Sequence, residues 1–131
     1  MNISGVSTVF QVKDLPVALR FYCDVLGFHK DFEFGPYAGV HLGECCLHLC
    51  AHTTWKRPLG GGAISIFADE VDAYCETVKE RGAEVALEPT DEPYGMRDFV
   101  VRDPDGNVLT FGCPLPEAAV LPKGVAEEQV V

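Results

Sequence analysis

The sequence lacks several features that would each define a class of protein. No apolar run approaches the roughly 20 residues that a membrane-spanning helix needs, and no basic segment followed by an apolar one opens the chain. Basic residues are scarce, with 10 Lys and Arg against 20 Asp and Glu and a net charge of -10. Because binding to nucleic acid needs a basic face, we expect no nucleic-acid partner, no membrane span and no secretory signal.

The six cysteines lack the spacing of a disulfide framework or a paired metal site, since no Cys-x-x-Cys occurs. We therefore expect reduced thiols in a cytoplasmic protein, most of them packed as small apolar side chains. The acidic excess has two interpretations. It either attracts cationic small molecules over long range or serves solubility alone.

What the sequence does contain is an internal repeat within 131 residues, the size of one domain. Residues 5–51 show the pattern strand, helix and three strands, and residues 62–113 show it again. One such module is too small to be stable alone. We therefore predict an α+β fold in which two βαβββ modules form a curved, partly open sheet with a concave inner face (the cup). The predicted domain covers 1–115, followed by a tail at 116–131.

Local signals support the two helices and the connection between the modules. Asp14 is placed to cap the first helix, and Asp69 or Glu70 the second. Gly60-Gly61-Gly62 joins the modules and predicts a flexible hinge. Its likeness to a phosphate-binding loop is superficial, because a strand and not a helix follows it.

The last hairpin carries its own turn signal, Asp103-Pro104-Asp105-Gly106, in which Pro fixes φ, Asp bonds its own backbone and Gly tolerates positive φ. This hairpin (97–107) and the strand–helix unit at 12–28 resemble the close and the opening of the vicinal oxygen chelate superfamily. That superfamily includes glyoxalase I, extradiol dioxygenases, fosfomycin-resistance thiol transferases and bleomycin-resistance proteins. The resemblance covers residues 5–113 and implies a glyoxalase-like fold.

The resemblance also implies where a metal would be held. The metal-dependent members place ligands at four cup-facing positions, which map to Ser7, His48, Ala63 and Thr110. Of these, only His48 ligates a divalent ion well, whereas a Zn, Fe or Mn site needs about three N, O or S ligands. We therefore expect no metal and no cofactor. What remains resembles the bleomycin-resistance branch, which binds a ligand without a metal in clefts at a dimer interface, and this implies a homodimer.

His48 shares its strand face with Cys46 and Cys50, which leaves two interpretations open. Either the three form a soft-metal or thiol-based site, or the cysteines are small apolar residues and His48 lines a pocket. Same-face neighbours on a strand are about 6.6 Å apart, too far for all three to share one ion easily. No third group is placed to orient the imidazole for nucleophilic catalysis.

Aromatic residues and one arginine complete the candidates. Tyr37, Tyr94 and Phe67 are suited to an apolar cup, and Trp55 lies in a loop where it either anchors a ligand or covers the cup or the dimer seam. Arg97 either meets an anionic or carbonyl group of a ligand or is a solvated or interface arginine.

These signals predict a metal-free protein that sequesters a small molecule in a cup at a dimer interface. If the acidic surface contributes to binding, the small molecule is cationic. The alternative is an enzyme, a glyoxalase-like lyase or a dioxygenase with a degenerate or absent metal site. A pure assembly protein is the third hypothesis. No catalytic residue is assigned. The predicted ligand-binding residues are Tyr37, His48, Trp55, Phe67, Phe99 and Arg97.

Overall fold

The computed structural model describes residues 1–53 and 56–116. Trp55 and residues 117–131 of the predicted tail lie outside this range. No helix in the described part is long and apolar enough to cross a membrane.

The first module follows the predicted order of elements. They are β1 (Thr8–Gln11), α1 (Leu15–Arg20) with a π-helical turn at Phe21–Val25, β2 (His29–Phe34), β3 (Tyr37–Leu42) and β4 (Cys45–Cys50). The strands form one sheet in the order β1-β4-β3-β2, with β1 parallel to β4. Helix α1 begins as predicted, because the Asp14 carboxylate accepts a hydrogen bond from the Val17 amide at 3.0 Å.

The second module repeats this topology. Its elements are β5 (Ala63–Phe67), α2 (Val71–Glu80), β6 (Glu84–Asp91), β7 (Met96–Arg102) and β8 (Val108–Pro114). The sheet order is β5-β8-β7-β6, with β5 parallel to β8. The α+β fold of two equivalent modules is thereby confirmed, with two open four-stranded sheets rather than a closed barrel. Helix α2 follows Glu70, whose φ is 49° and whose side chain makes no capping hydrogen bond, so no side-chain cap forms at Glu70.

One hydrophobic core is built from the helices and one face of each sheet. Strand β4 contributes Leu47 and Leu49, and strand β8 contributes Leu109, all of them fully buried. Because alternate residues of a strand point to opposite faces, the intervening His48 and Thr110 lie on faces turned away from the core. The core therefore occupies one face of each sheet and leaves the other open.

A buried hydrogen-bond network joins the modules at the turn of the last hairpin. The Asp103 carboxylate, 3% exposed, accepts hydrogen bonds from the Tyr22 hydroxyl at 2.9 Å and from the backbone and side-chain amides of Asn107 at 2.8 Å. Asn107 extends the network, since its Nδ2 also donates to the Gln11 carbonyl oxygen at 3.1 Å and its Oδ1 accepts from the Gly62 amide at 2.8 Å. The turn thus fixes the second module against the first.

The glycines between the modules serve this close packing. A Cβ at Gly62 would lie 2.5 Å from Cδ1 of Phe10, and one at Gly60, whose φ is +71°, would clash with the Asp105 carbonyl oxygen. Glycine is the residue that permits both the approach and the positive φ. These glycines therefore allow close packing between the modules and do not form the flexible hinge that the sequence predicted at 60–62.

Candidate functional site

The sheet faces turned away from the core carry the candidate site. We call them the first sheet face, which includes Val9, Phe32, Tyr37 and His48, and the second sheet face, which includes Ser65, Phe67, Met96, Asp98 and Thr110. Strands β1–β4 form the first, and strands β5–β8 form the second.

An aromatic cluster lies on the first sheet face. The Tyr37 hydroxyl is 2.7 Å from Nδ1 of His48, and the Phe32 ring packs edge-on against His48 with the centroids 5.3 Å apart. Phe32 also stacks on Tyr37 at 6.2 Å. Gly39 pairs with both Phe32 and His48 in the ladder, and a Cβ there would clash with the Phe32 ring. The predicted residues Tyr37 and His48 are thus in contact with each other and with Phe32, which was not predicted from the sequence.

The hydrogen-bonded Tyr37–His48 pair is a polar group within the aromatic wall. Burial raises the pKa of the Tyr37 hydroxyl. The charge of Cys50 raises this pKa further, and the charge of Arg57 lowers it. The phenol therefore stays protonated at neutral pH and available as a donor. When it donates to Nδ1, a neutral His48 carries its own proton on Nε2. The pair can hold or pass one proton, and the flat rings offer apolar contact area.

The residues on these faces do not fit the metal that the superfamily resemblance implies. In the sheet registers His48 lies beside Val9, and Thr110 lies beside Ser65. The neighbouring strands therefore add no imidazole or carboxylate next to these two positions. One imidazole, already bonded to Tyr37, is fewer than the three donors that a transition-metal site needs.

The cysteines around His48 do not complete a metal site either. Cys50 is fully buried, and Cys46 is partly buried. Among residues 1–53 and 56–116, no group of three or more His, Cys, Asp or Glu side chains is placed to hold an ion. The geometry favours the interpretation of these cysteines as small apolar residues.

Phe67 borders the two cavities of interest. It ends β5 with 80% of its surface exposed. The larger cavity, about 790 Å³, lies between the modules, and the smaller one, about 460 Å³, lies on the second sheet face and is called the second-sheet cavity here. Both are within the size range of ligand pockets. The second-sheet cavity is lined by Ser65, Ile66, Phe67, Tyr94, Met96, Asp98, Thr110 and Gly112.

A buried carboxylate faces the second-sheet cavity. Asp98 is only 4% exposed, and the exposed Tyr94 donates a short hydrogen bond to its Oδ2. Burial raises the pKa of the Tyr94 hydroxyl, and the hydrogen bond to Asp98 and the charges of Asp98 and Glu92 raise it further. The phenol therefore remains a donor. Tyr94 was predicted from the sequence to suit the cup, whereas Asp98 was not predicted to lie in the site.

Phe99 does not lie on either open face, which corrects the prediction that it contacts a ligand. Its side chain has no exposed surface. Its ring stacks on Phe111 at 5.3 Å and lies 6.1 Å from Tyr74 of α2. Phe99 is therefore a core residue on the helix side of β7, and a ligand in the cup would not reach it.

Arg97 is engaged elsewhere, which corrects its assignment to the ligand. Its guanidinium bonds the Asp72 carboxylate through Nε at 3.1 Å and Nη2 at 2.9 Å, and Nη1 bonds Asp91 at 2.9 Å. It alternates along β7 with Met96 and Asp98, which line the second-sheet cavity. Arg97 thus ties α2 to the edge of the second sheet.

The fold and these faces agree with one protein family. The family model of the Glyoxalase/Bleomycin resistance protein/Dioxygenase superfamily matches residues 6–111. The chain belongs to this superfamily, and the resemblance to vicinal oxygen chelate proteins is confirmed.

The relatives include both lyases and binding proteins. The chain is 30% identical over 113 residues to a probable lactoylglutathione lyase of Synechocystis sp., covering 76% of this chain and 86% of that protein. It is 28% identical over 120 residues to a bleomycin resistance protein of Geobacillus stearothermophilus, covering 76% of this chain and 89% of that protein. The crystal structure of an antibiotic binding protein from Streptomyces sp. CB03234 matches with a TM-score of 0.74 and 30% identity, covering 87% of this chain and 98% of that one.

Proposed function

We propose that this protein binds a small molecule without a metal, in a cup lined by the aromatic cluster of the first sheet face and by the second-sheet cavity. The observation that carries the proposal is the wall of Phe32, Tyr37 and His48, in which His48 is the position that the superfamily resemblance maps to a metal ligand. A planar or apolar ligand gains contact area on such a wall. The bleomycin resistance protein and the antibiotic binding protein among the relatives support this class of function.

A second copy of the chain completes the cup in this proposal. Strand β2 is exposed along its whole length, and Phe34 and Phe67 are 84% and 80% exposed. In the described part of the chain, β1 and β5 are both edge strands. Open edges and exposed aromatic residues are typical of surfaces that associate. In the proposed homodimer the modules are exchanged, so that the first sheet face of one protomer meets the second sheet face of its partner. This arrangement covers the open strand edges and the exposed aromatic residues.

The proposed place of action is the cytoplasm. All six cysteines lie within the described residues and none is in a disulfide. Several of them are partly exposed, as Cys46 is, and such thiols persist in a reducing compartment.

The binding test is a calorimetric titration of metal-free bleomycin into the purified protein. Phe32→Ala and Phe67→Ala remove one ring from each sheet face, and each is expected to weaken binding at least tenfold, about 1.4 kcal/mol. Trp55→Ala, at a position known only from the sequence, is expected to do the same. Val17→Ala is the matched control, because Val17 is an exposed apolar residue on α1.

Two results would contradict the proposed function. One is that the wild-type protein binds neither bleomycin nor any other cationic antibiotic in the same assay. The other is that both Phe32→Ala and Phe67→Ala keep the wild-type affinity, since the two sheet faces would then not hold the ligand.

Catalysis in the same cup is the second candidate function. The Tyr37–His48 hydrogen bond favours it, because it places a group able to hold a proton beside the ligand wall, and the lyase relative supports it. Conversion of S-lactoylglutathione to glutathione and methylglyoxal, lost in His48→Gln, would establish this function. Stoichiometric binding without turnover would favour the binding protein.

A further inference from the structure

The Asp98 carboxylate is a nearly buried charge without an ion-pair partner in the described part of the chain. It is 4% exposed and lines the second-sheet cavity. The neighbouring arginine, Arg97, points to the other side of β7 and is bound to Asp72 and Asp91. The ion pairs of the described residues do not include Asp98.

Such a charge is costly unless something compensates it. Burying a carboxylate requires a cation or several hydrogen bonds. Among the described side chains, Asp98 receives one hydrogen bond, from the Tyr94 hydroxyl. Glu92 adds a second negative charge close to the same hydroxyl. The second-sheet cavity therefore has a negative potential that a cation would relieve.

We propose that Asp98 is the anchor for a cationic group of the ligand, an ammonium, guanidinium or amidinium, in the second-sheet cavity. This inference rests on the proposed small-molecule binding function and specifies the class of ligand. The Tyr94 hydroxyl gives the carboxylate one of the hydrogen bonds it needs, and it can keep that bond when a cation arrives. Phe67 and Met96 provide apolar surface for the body that carries the cation.

The size and the lining of the second-sheet cavity restrict the class of ligand further. Its volume of about 460 Å³ suits a group of modest size. Its remaining polar lining is neutral, with the Ser65 and Thr110 hydroxyls beside each other in the ladder. A ligand that carries a cation next to an aromatic or apolar body fits this lining. Its cationic group would contact the Asp98 carboxylate, and its apolar body would pack on Phe67. The Phe67 ring can also make a cation–π contact with the cationic group.

The test compares two small probes of nearly the same shape, benzamidine, which is cationic, and benzamide, which is neutral. Each is titrated into the wild-type protein, Asp98→Asn and Asp24→Asn by isothermal calorimetry. Asp24→Asn is the control, because it removes the same charge from an exposed position. We expect benzamidine to bind the wild-type protein and Asp24→Asn at least tenfold more tightly than benzamide, and Asp98→Asn to lose this preference.

A second measurement does not depend on the folding of the Asp98 variant. In amide NMR spectra of the wild-type protein, benzamidine should shift the signals of Tyr94 and Asp98 more than benzamide does. Equal shifts by the two probes would overturn the inference.

The remaining outcomes separate this inference from the proposed function. Equal binding of both probes overturns the anchor and leaves aromatic binding in the cup intact. Binding of neither probe overturns the anchor, and the bleomycin titration then decides the proposed function separately. If Asp98→Asn weakens self-association and leaves the benzamidine preference unchanged, a cation of the partner subunit is what pairs with Asp98, and the inference is wrong.

Discussion

The Tyr37 hydroxyl lies 2.7 Å from Nδ1 of His48 across neighbouring strands. This contact occupies Nδ1 of His48 and orients the imidazole ring beside Phe32. The position that the superfamily resemblance maps to a metal ligand is here part of an aromatic wall. The function proposed for this protein rests on that wall.

Gly39→Ala tests whether Phe32 belongs to the wall. The new methyl group would clash with the Phe32 ring, and the partly exposed ring would swing away from His48. We expect bleomycin affinity to fall at least fivefold, while stability changes by about 1 kcal/mol or less. Gly5→Ala is the control, because a Cβ there meets nothing within 4 Å. An unchanged affinity in Gly39→Ala would remove Phe32 from the site.

Tyr22→Phe tests the network that joins the modules. The variant deletes a buried hydrogen bond of 2.9 Å to Asp103 and leaves that carboxylate short of one donor. We expect a loss of about 1–3 kcal/mol in the free energy of unfolding, measured in urea. Glu33→Gln, which breaks an exposed ion pair with Lys30, should cost about 0.5 kcal/mol or less. Equal losses in the two variants would show that the network contributes no more than a surface pair.

Alkaline pH should act through the same tyrosine. Burial first, and then the charge and hydrogen bond of Asp103, raise the pKa of Tyr22 far above its ordinary value of 10.0. Above about pH 10 the unfolded chain releases this proton and the folded chain keeps it, so stability is complete below that pH and falls as pH rises. The contribution of one group approaches about 1.4 kcal/mol per pH unit.

Urea unfolding of the wild-type protein and of Tyr22→Phe, followed from about pH 8 to about pH 11, measures this dependence. The wild-type protein should lose more stability over the range than the variant. Other groups also have raised pKa values, such as Cys75, whose pKa burial raises to about 11. Because both proteins contain these groups, their effect on stability cancels in the comparison. Identical losses in the two proteins would contradict the role given to Tyr22.

Arg97→Gln separates a structural arginine from a ligand contact. The variant breaks the bonds that tie α2 to β6. We expect a lower melting temperature, an effect that shrinks at high salt, and a bleomycin affinity within twofold of the wild-type value. Lys79→Gln, which breaks another α2–β6 pair, with Glu88 at 2.8 Å, is the matched control. A tenfold loss of affinity in Arg97→Gln alone would return this residue to the site.

Much of the fold was accessible from the sequence because the same signals occur twice. Strand and helix periodicity with a restart at residue 62 predicted both modules. The chemistry of Asp103 to Gly106 predicted the last turn, in which the Gly106 amide donates to the Asp103 carbonyl oxygen at 3.0 Å with φ of +98° at Gly106. The π-helical turn at Phe21–Val25 had no such signal.

The site was predicted less well because it depends on strand register. Phe99 and Arg97 were both assigned to the cup, but the turn pairs Arg102 with Val108 and therefore Val100 with Thr110. Counting outward from the turn would have placed Phe99 on the side opposite Thr110, since a one-residue shift reverses the face of every side chain.

Two other residues could not be found by periodicity. Phe32 belongs to β2, which is exposed at every position and shows no alternation, and its place in the wall depends on the gap left by Gly39. Asp98 resembles any polar residue of a strand. Its importance comes from burial without a cation, which depends on how β7 packs.

Metal content and ligand binding, measured on one sample, test the central claim most directly. Freshly purified, untagged protein is analysed for Zn, Mn, Fe, Ni and Cu per chain, and the same preparation is titrated with metal-free bleomycin before and after dialysis against a chelator. Metal-independent binding in the cup predicts far less than one metal per chain and the same affinity before and after dialysis. Close to one metal per chain or per dimer, with ligand binding lost together with the metal, would contradict the account.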